Sequence, residues 1–318
     1  MRFESHEDLL KIYSPPPLRG SERAVTLTEM LGFDPGSKVV IVNADDMGIC
    51  HGTNSAVANL LETGRLNSVS LIAGAREFDH AVELLKRLHQ PTGVHFSLTS
   101  EWEGDIIRPL MPTDRIQSLL NGEGGLYNEI TDLYDNFKLA EVKSECLAQY
   151  EKIAESGLET DHLDTHMGAL QLHPVLVELY MDMAYKLKLP VRLGSMALAE
   201  LMNLPRQLLE RALQMGLIFP DNVMYIPMSR TRDKDERLDI YRYMLKNLPE
   251  GVTELYFHPT YDSDDFRALN HQYSERKNLD YNAVRIWDYQ FLVSDDFSRI
   301  IEDNDITRVS YSDLKALL

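Results

Sequence analysis

Short apolar runs of strand length alternate with stretches of helical periodicity along most of this chain, and that alternation restricts it to α/β architectures. The first run, Val39-Val40-Ile41-Val42, is β-branched and lies between Gly36 and Gly48, which predicts a buried strand over 38–43. Further strands are predicted over 69–72, 93–98, 162–166, 191–193, 253–258 and 307–310. Helices are predicted over 52–64, 78–88, 139–156, 173–187, 198–215, 235–247, 282–292 and 311–318. Residues 110–137, with Gly122, Gly124 and Gly125, read as an irregular insertion. Strands separated by helices imply parallel βαβ units. The expected fold is a TIM-like (β/α) barrel, complete or incomplete, formed by a single domain over 38–318. Residues 1–37, with Pro15-Pro16-Pro17 and a short amphipathic stretch over 24–31, are expected to form an extension packing on the barrel. Neither a Gly-x-Gly-x-x-Gly nor a Walker sequence occurs, so nucleotide binding has no local support.

The first strand leads into Asn43-Ala44-Asp45-Asp46. Adjacent carboxylates in an apolar setting raise each other's pKa and need a counter-charge. Alone, such a pair reads as a helix N-cap. Three other strands change that reading. One carries His95, the next carries His162, Asp164 and His166, and a late one ends in His258. A single histidine on an apolar strand is ordinarily a core residue bonded to backbone. In a parallel barrel, however, the C-terminal strand ends converge on one face, where sites lie. Two imidazoles and one carboxylate hold a divalent ion and leave positions open. The remaining Asp then suits proton transfer with water, and a histidine across the site suits delivery to a leaving group. His166 is the expected ligand because it lies at the strand end, with His162 deeper. Asp164 is expected to orient a ligating imidazole, and Arg192 to pair with Asp45 or Asp164. Met181 and Met183 read as packing residues.

The chain of 318 residues carries a net charge of −18, and no local basic patch offsets it, so nucleic acid is not an expected partner. No apolar stretch is long enough to span a membrane. The first residues, Met1-Arg2-Phe3-Glu4, are polar and lack a signal-peptide core, so a cytoplasmic location is expected. Cys50 and Cys146 show no metal-type spacing.

Asn43-Ala44-Asp45-Asp46-Met47-Gly48, Gly93-Val94-His95-Phe96-Ser97-Leu98-Thr99, His162-Leu163-Asp164-Thr165-His166 and His258-Pro259-Thr260-Tyr261 occur in this order. Together they resemble the YdjC/ChbG carbohydrate deacetylase family, which is similar in fold to polysaccharide deacetylases. The resemblance implies removal of N-acetyl groups from amino sugars or short chitooligosaccharides. It implies Asp46, His95 and His166 as metal ligands, Asp45 as general base and His258 as general acid. The implied cofactor is one divalent ion, Mg²⁺ or Zn²⁺, and the implied partner is an N-acetylated sugar; a homodimer is a candidate assembly that the sequence does not decide. Two positions depart from the family pattern. Met167-Gly168-Ala169-Leu170 stands where further histidines are usual, and Thr260 stands where glycine is usual. Trp102, Tyr127 and Tyr261, in loops after strand ends, are candidates to stack on a sugar ring, with loop anchoring the alternative. A phosphoester hydrolase is disfavoured because Lys and Arg are not clustered. A non-catalytic carbohydrate-binding protein is disfavoured because Asp45, Asp46, His95, His166 and His258 are all present.

Overall fold

The computed structural model describes residues 25–193, 207–231, 233–269 and 280–318. Seven strands form one parallel sheet: β1 (Lys38–Met47), β2 (Ser68–Leu71), β3 (Thr92–Phe96), β4 (Thr160–Thr165), β5 (Asn222–Met224), β6 (Gly251–Phe257) and β7 (Thr307–Arg308). Their order is β4-β3-β2-β1-β6-β5, with β7 also paired to β1. β1 is the hub. One edge pairs with β6 from Lys38 to Ala44. The other edge is shared, with β7 beside Val39 and Val40 and β2 beside Asn43 to Met47. Past β4, a single parallel bridge joins Leu163 to Val191, and the Val191 N–H donates to the Ile218 carbonyl at 3.0 Å. The sheet is therefore a half-barrel whose far side is held by isolated bonds, the incomplete form of the expected barrel.

Helices α1 (His51–Glu62), α2 (Phe78–Leu88), α3 (Leu139–Glu155), α4 (Pro174–Leu187), α5 (Gln207–Gln214), α6 (Lys234–Lys246), α7 (Tyr281–Leu292), α8 (Asp295–Asp303) and α9 (Tyr311–Lys315) follow the strands. α2 shows why they pack as they do: Phe78, Ala81, Val82 and Leu85 recur at helical spacing and are all buried. Alternate residues of β1 belong to different apolar clusters. Val40, Val42 and Ala44 pack with the helices, whereas Val39 and Ile41 pack with Leu27, Val252, Tyr311 and Leu314. This is the period-two alternation of a strand. It places α9 and the one-turn helix Leu27–Met30 against one end of the sheet's inner face. The other end carries the polar residues.

The predicted elements are present with shifts of a few residues, apart from the differences that follow. Residues 191–193 form one bridge rather than a strand: the Leu163 N–H donates to the Pro190 carbonyl and the Arg192 N–H to the Leu163 carbonyl, each at 2.9 Å, and the pairing extends no further along the described residues. β5 and α8 are not among the predicted elements; β5 is only three residues long, whereas α8 carries a Ser294 cap, acidic residues in its first turn and Phe297 and Ile300 at helical spacing. The insertion over 110–137 includes a helix, Ile130–Asn136. Of the helix predicted over 198–215, α5 is observed, and residues 198–206 lie outside the described set, as do residues 1–24. No described helix is long and apolar enough to cross a membrane.

Candidate active site

Two consecutive strand residues normally point to opposite faces. Asp45 follows Ile41 and Asn43 in the inward phase, so Asp46 should face the helices. It does not, because the β1–β2 register shifts between Ala44 and Met47 and Asp46 adopts φ 64°. This is a bulge, the irregularity that re-aims side chains at strand ends. Asp is among the few L-residues that adopt the left-handed region readily. As a result, Asp45 and Asp46 line the same cavity of about 350 Å³. The capping alternative is excluded: the N-cap of α1 is Cys50, whose sulfur accepts from the Thr53 N–H.

The two carboxylates have separate partners. Asp46 Oδ1 lies 3.1 Å from His95 Nε2 and 3.0 Å from His166 Nδ1. Its Oδ2 lies 2.8 Å from an Arg285 terminal nitrogen. Burial would raise the Asp46 carboxyl, but Arg285, His166 and His95 hold it well below the usual carboxylate range. His95 Nδ1 is 2.8 Å from Asp164 Oδ1, its register partner on β4. His166 Nε2 is 2.6 Å from Glu101 Oε2. Burial pulls both imidazoles down, yet these carboxylates raise His95 to about 10 and His166 to about 9.

Asp45 is clamped instead by Arg192. Its two oxygens accept from two guanidinium nitrogens, each at 2.7 Å, and Oδ1 also accepts from Asn43 Nδ2 at 2.8 Å. Arg192 also bonds Glu254 and lies 3.1 Å from Asp164 Oδ2. Glu254 accepts in turn from the Tyr311 hydroxyl at 2.5 Å. A carboxylate offers about four lone-pair sites, so the three bonds leave Asp45 one acceptor position, on Oδ2.

His258 follows β6, and its backbone N–H donates to Asp288 Oδ2 at 3.1 Å. Asp288 is fixed by the buried Arg237 at 2.9 Å and the Tyr241 hydroxyl at 2.7 Å. The His258 Nε2 is 3.9 Å from Asp46 Oδ2. Burial, aided by Arg285, pushes this imidazole down to about 4, so it is neutral at pH 7 in the free protein.

All five candidate residues thus line one cavity. His162 is deeper, as expected, with Nδ1 2.7 Å from Asp161 and its ring stacked on Tyr311 at 3.8 Å. Arg192 reaches both Asp45 and Asp164. Met181 and Met183 are buried in the core. His173 caps α4, His51 is an exposed partner of Glu77, and His6 and His271 lie outside the described residues. The aromatic expectation is corrected for Trp102. It is 1% exposed and stacks on His166 at 5.7 Å, so no face is open to a sugar. Tyr127 and Tyr261 do not line the cavity; Tyr225, Tyr256 and Tyr281 do.

Glu101, Arg285, Glu254 and Tyr311 escaped the sequence reading. Glu254 alone had a signal, a charge in the middle of the apolar run Val252-Thr253-Glu254-Leu255. Glu101 lies in a loop, and Arg285 lies on one face of a helix without a polar motif.

Among the described residues, two groups have donor atoms within 4.8 Å of one another: Asp46, His95 and His166, and Asp45, His95 and Asp164. The second already holds a cation, the Arg192 guanidinium. The first offers two imidazole nitrogens and a carboxylate oxygen, a donor set that fits a divalent ion.

By fold and site this is an α/β half-barrel protein with a buried Asp-His-His group able to hold a metal ion. The profile of the family described as YdjC-like protein matches residues 39–303, and the chain belongs to that family. It is similar to a carbohydrate deacetylase of Thermoanaerobacter pseudethanolicus, 28% identical over 278 residues that cover 87% of this chain and 100% of that protein. A carbohydrate deacetylase of Thermus thermophilus is 32% identical over 251 residues, covering 76% and 85% of the two chains. A crystal structure from Enterococcus faecalis V583, provisionally labelled a cellobiose-phosphate cleavage protein, matches in fold with a TM-score of 0.72 and 22% identity. That match covers 87% of this chain and 99% of that one.

Proposed function

We propose that this protein is a metal-dependent deacetylase that removes N-acetyl groups from amino sugars or short N-acetylated oligosaccharides. The observation that carries the reading is the division of labour between adjacent carboxylates, Asp46 among two imidazoles and Asp45 on Arg192, at one cavity. Membership of a family with relatives named carbohydrate deacetylases supports the substrate class.

Asp46, His95 and His166 would hold the ion. When bound, a divalent ion supplies Lewis-acid polarisation of the amide carbonyl and lowers the pKa of a coordinated water. Asp45 accepts a proton from the attacking water on its remaining Oδ2 site, while Arg192 keeps the carboxylate in place. The C–O bond forms, the amide C–N bond breaks, and the sugar amine leaves with a proton from His258. Because His258 is neutral in the free protein, it takes up a proton from solvent before it delivers one to the amine, and Asp45 releases to solvent the proton it took from the water, so both groups return to their starting states. The cavity is at the small end for ligand pockets, which suits the acetylated sugar itself, with any remaining sugars outside.

Two buried guanidinium groups line the cavity, which a phosphoester hydrolase would also need. Both are already paired, Arg192 with Asp45, Asp164 and Glu254, and Arg285 with Asp46. That pairing favours an uncharged amide.

The test is acetate release from a panel of N-acetylated mono- and oligosaccharides after chelation, followed by addition of single divalent metals. Metal-restored release from at least one amide is expected. Hydrolysis of phosphoesters with no amide cleaved would overturn the reading.

A further inference from the structure

We propose that Glu101 is a positioning residue that fixes His166 so that it holds the divalent ion through Nδ1, whereas His95 uses Nε2. The inference rests on the metal-centre reading above.

His95 has its Nδ1 2.8 Å from Asp164 Oδ1 and its Nε2 3.1 Å from Asp46 Oδ1. His166 is arranged in reverse. Its Nε2 lies 2.6 Å from Glu101 Oε2 and its Nδ1 3.0 Å from the same Asp46 oxygen. An ionised carboxylate only accepts, so Asp164 and Glu101, which are not ligands, hold a ring proton on the nitrogen each faces, whereas Asp46, the shared ligand, marks the nitrogens that turn toward the ion. In the neutral imidazole the other nitrogen then carries the lone pair that a metal needs. Asp164 therefore leaves Nε2 of His95 as the donor, and Glu101 leaves Nδ1 of His166.

The asymmetry has a local cause. His95 lies within β3, directly opposite Asp164 on β4. His166 lies just past β4, at the start of a single turn, His166–Gly168, in which Met167 adopts φ 52°. Among the described residues no strand residue is in register with it, and its second carboxylate comes from the segment after β3. That segment is anchored. Thr99 bridges Tyr127, the Ser100 N–H donates to the Tyr127 carbonyl at 2.9 Å, and Asn128 Nδ2 donates to the Ser100 carbonyl at 2.7 Å. The next residue, Trp102, lies against the face of the His166 ring with an interplanar angle of 21°. Consecutive residues thus grip the imidazole at its edge and on its face. Glu101 is only 3% exposed, and a carboxylate so placed has its geometry set by the fold rather than by solvent.

The test uses the full chain stripped of metal and titrated with Zn²⁺ against a chromogenic chelator. Glu101→Ala should weaken the single high-affinity site by about 10- to 100-fold. Glu101→Gln, which preserves volume and an acceptor oxygen, should weaken it less. Both should keep the wild-type circular dichroism. In the wild-type zinc form, ¹⁵N long-range correlation spectra should show His166 metallated at Nδ1 and protonated at Nε2. Unchanged affinity in both folded variants, or ligation through Nε2, would overturn the proposal. If Glu101→Ala does not fold, Glu101→Gln and the wild-type spectrum decide it. No sugar enters these measurements, so an error in the substrate assignment leaves them intact. Absence of zinc binding by the wild-type chain overturns the metal centre and the role of Glu101 together.

Discussion

Adjacent carboxylates with different neighbours predict different losses. Asp45→Asn removes the proposed proton acceptor, while Arg192 keeps Glu254 and Asp164 as counter-charges. The variant should fold and bind metal, and turnover should fall about 10²- to 10⁴-fold. Steady-state acetate release beside metal analysis checks this; a variant with wild-type turnover excludes Asp45 as the base. Asp46→Asn should act differently. Asn also tolerates the left-handed backbone, so the bulge survives, but Arg285 and two raised imidazoles lose their shared anion. Metal should be lost, and the metal-free variant should be destabilised by roughly 3–5 kcal/mol, as when one partner of a buried pair is removed, measured by urea unfolding. These residues were legible in the sequence because Asp and His are conspicuous at the ends of apolar strands. Glu101 and Arg285 were not, since a loop carboxylate and a cation on a helix look like ordinary surface residues until folding buries them.

At the scale of elements, periodicity located the strands and helices because burial on one face imposes period two or 3.6. It could not reveal the bulge in β1, which depends on a pairing partner distant in sequence. Nor could it reveal why β3 has Gly93 where an apolar side chain would be ordinary. A Cβ built there falls 2.3 Å from the His162 ring, and that ring is held by its stack on Tyr311 and its bond to Asp161. Gly93→Ala should therefore destabilise the protein by about 1–3 kcal/mol through overpacking. Thermal unfolding would show it. A melting temperature at or above that of the wild type would mean that the His162 ring can move away.

For the molecule as a whole, the buried histidines set a pH dependence. In the metal-free protein His95 is raised to about 10, and His166 and His162 to about 9, from 6.5. A raised folded-state pKa stabilises fully below the unfolded value and is lost as pH climbs through the folded one. The metal-free protein should thus lose stability steadily from pH 6.5 toward 10. A metal ion held as proposed needs neutral imidazoles at His95 and His166, so zinc affinity should rise over the same range with proton release. Calorimetry in buffers of different ionisation enthalpy would count the protons; none released at pH 7 would contradict the raised values. Finally, α9 has a consequence for assembly. Tyr311 stacks on His162 and donates to Glu254, which braces the Arg192 that holds Asp45. The proposed base is therefore held by a relay whose last member, Tyr311, lies 266 residues after Asp45 in the sequence. The brace on Asp45 is complete only once the C-terminal helix has been made, so a chain terminated before Tyr311 is expected to lack the bond that fixes Glu254 against Arg192.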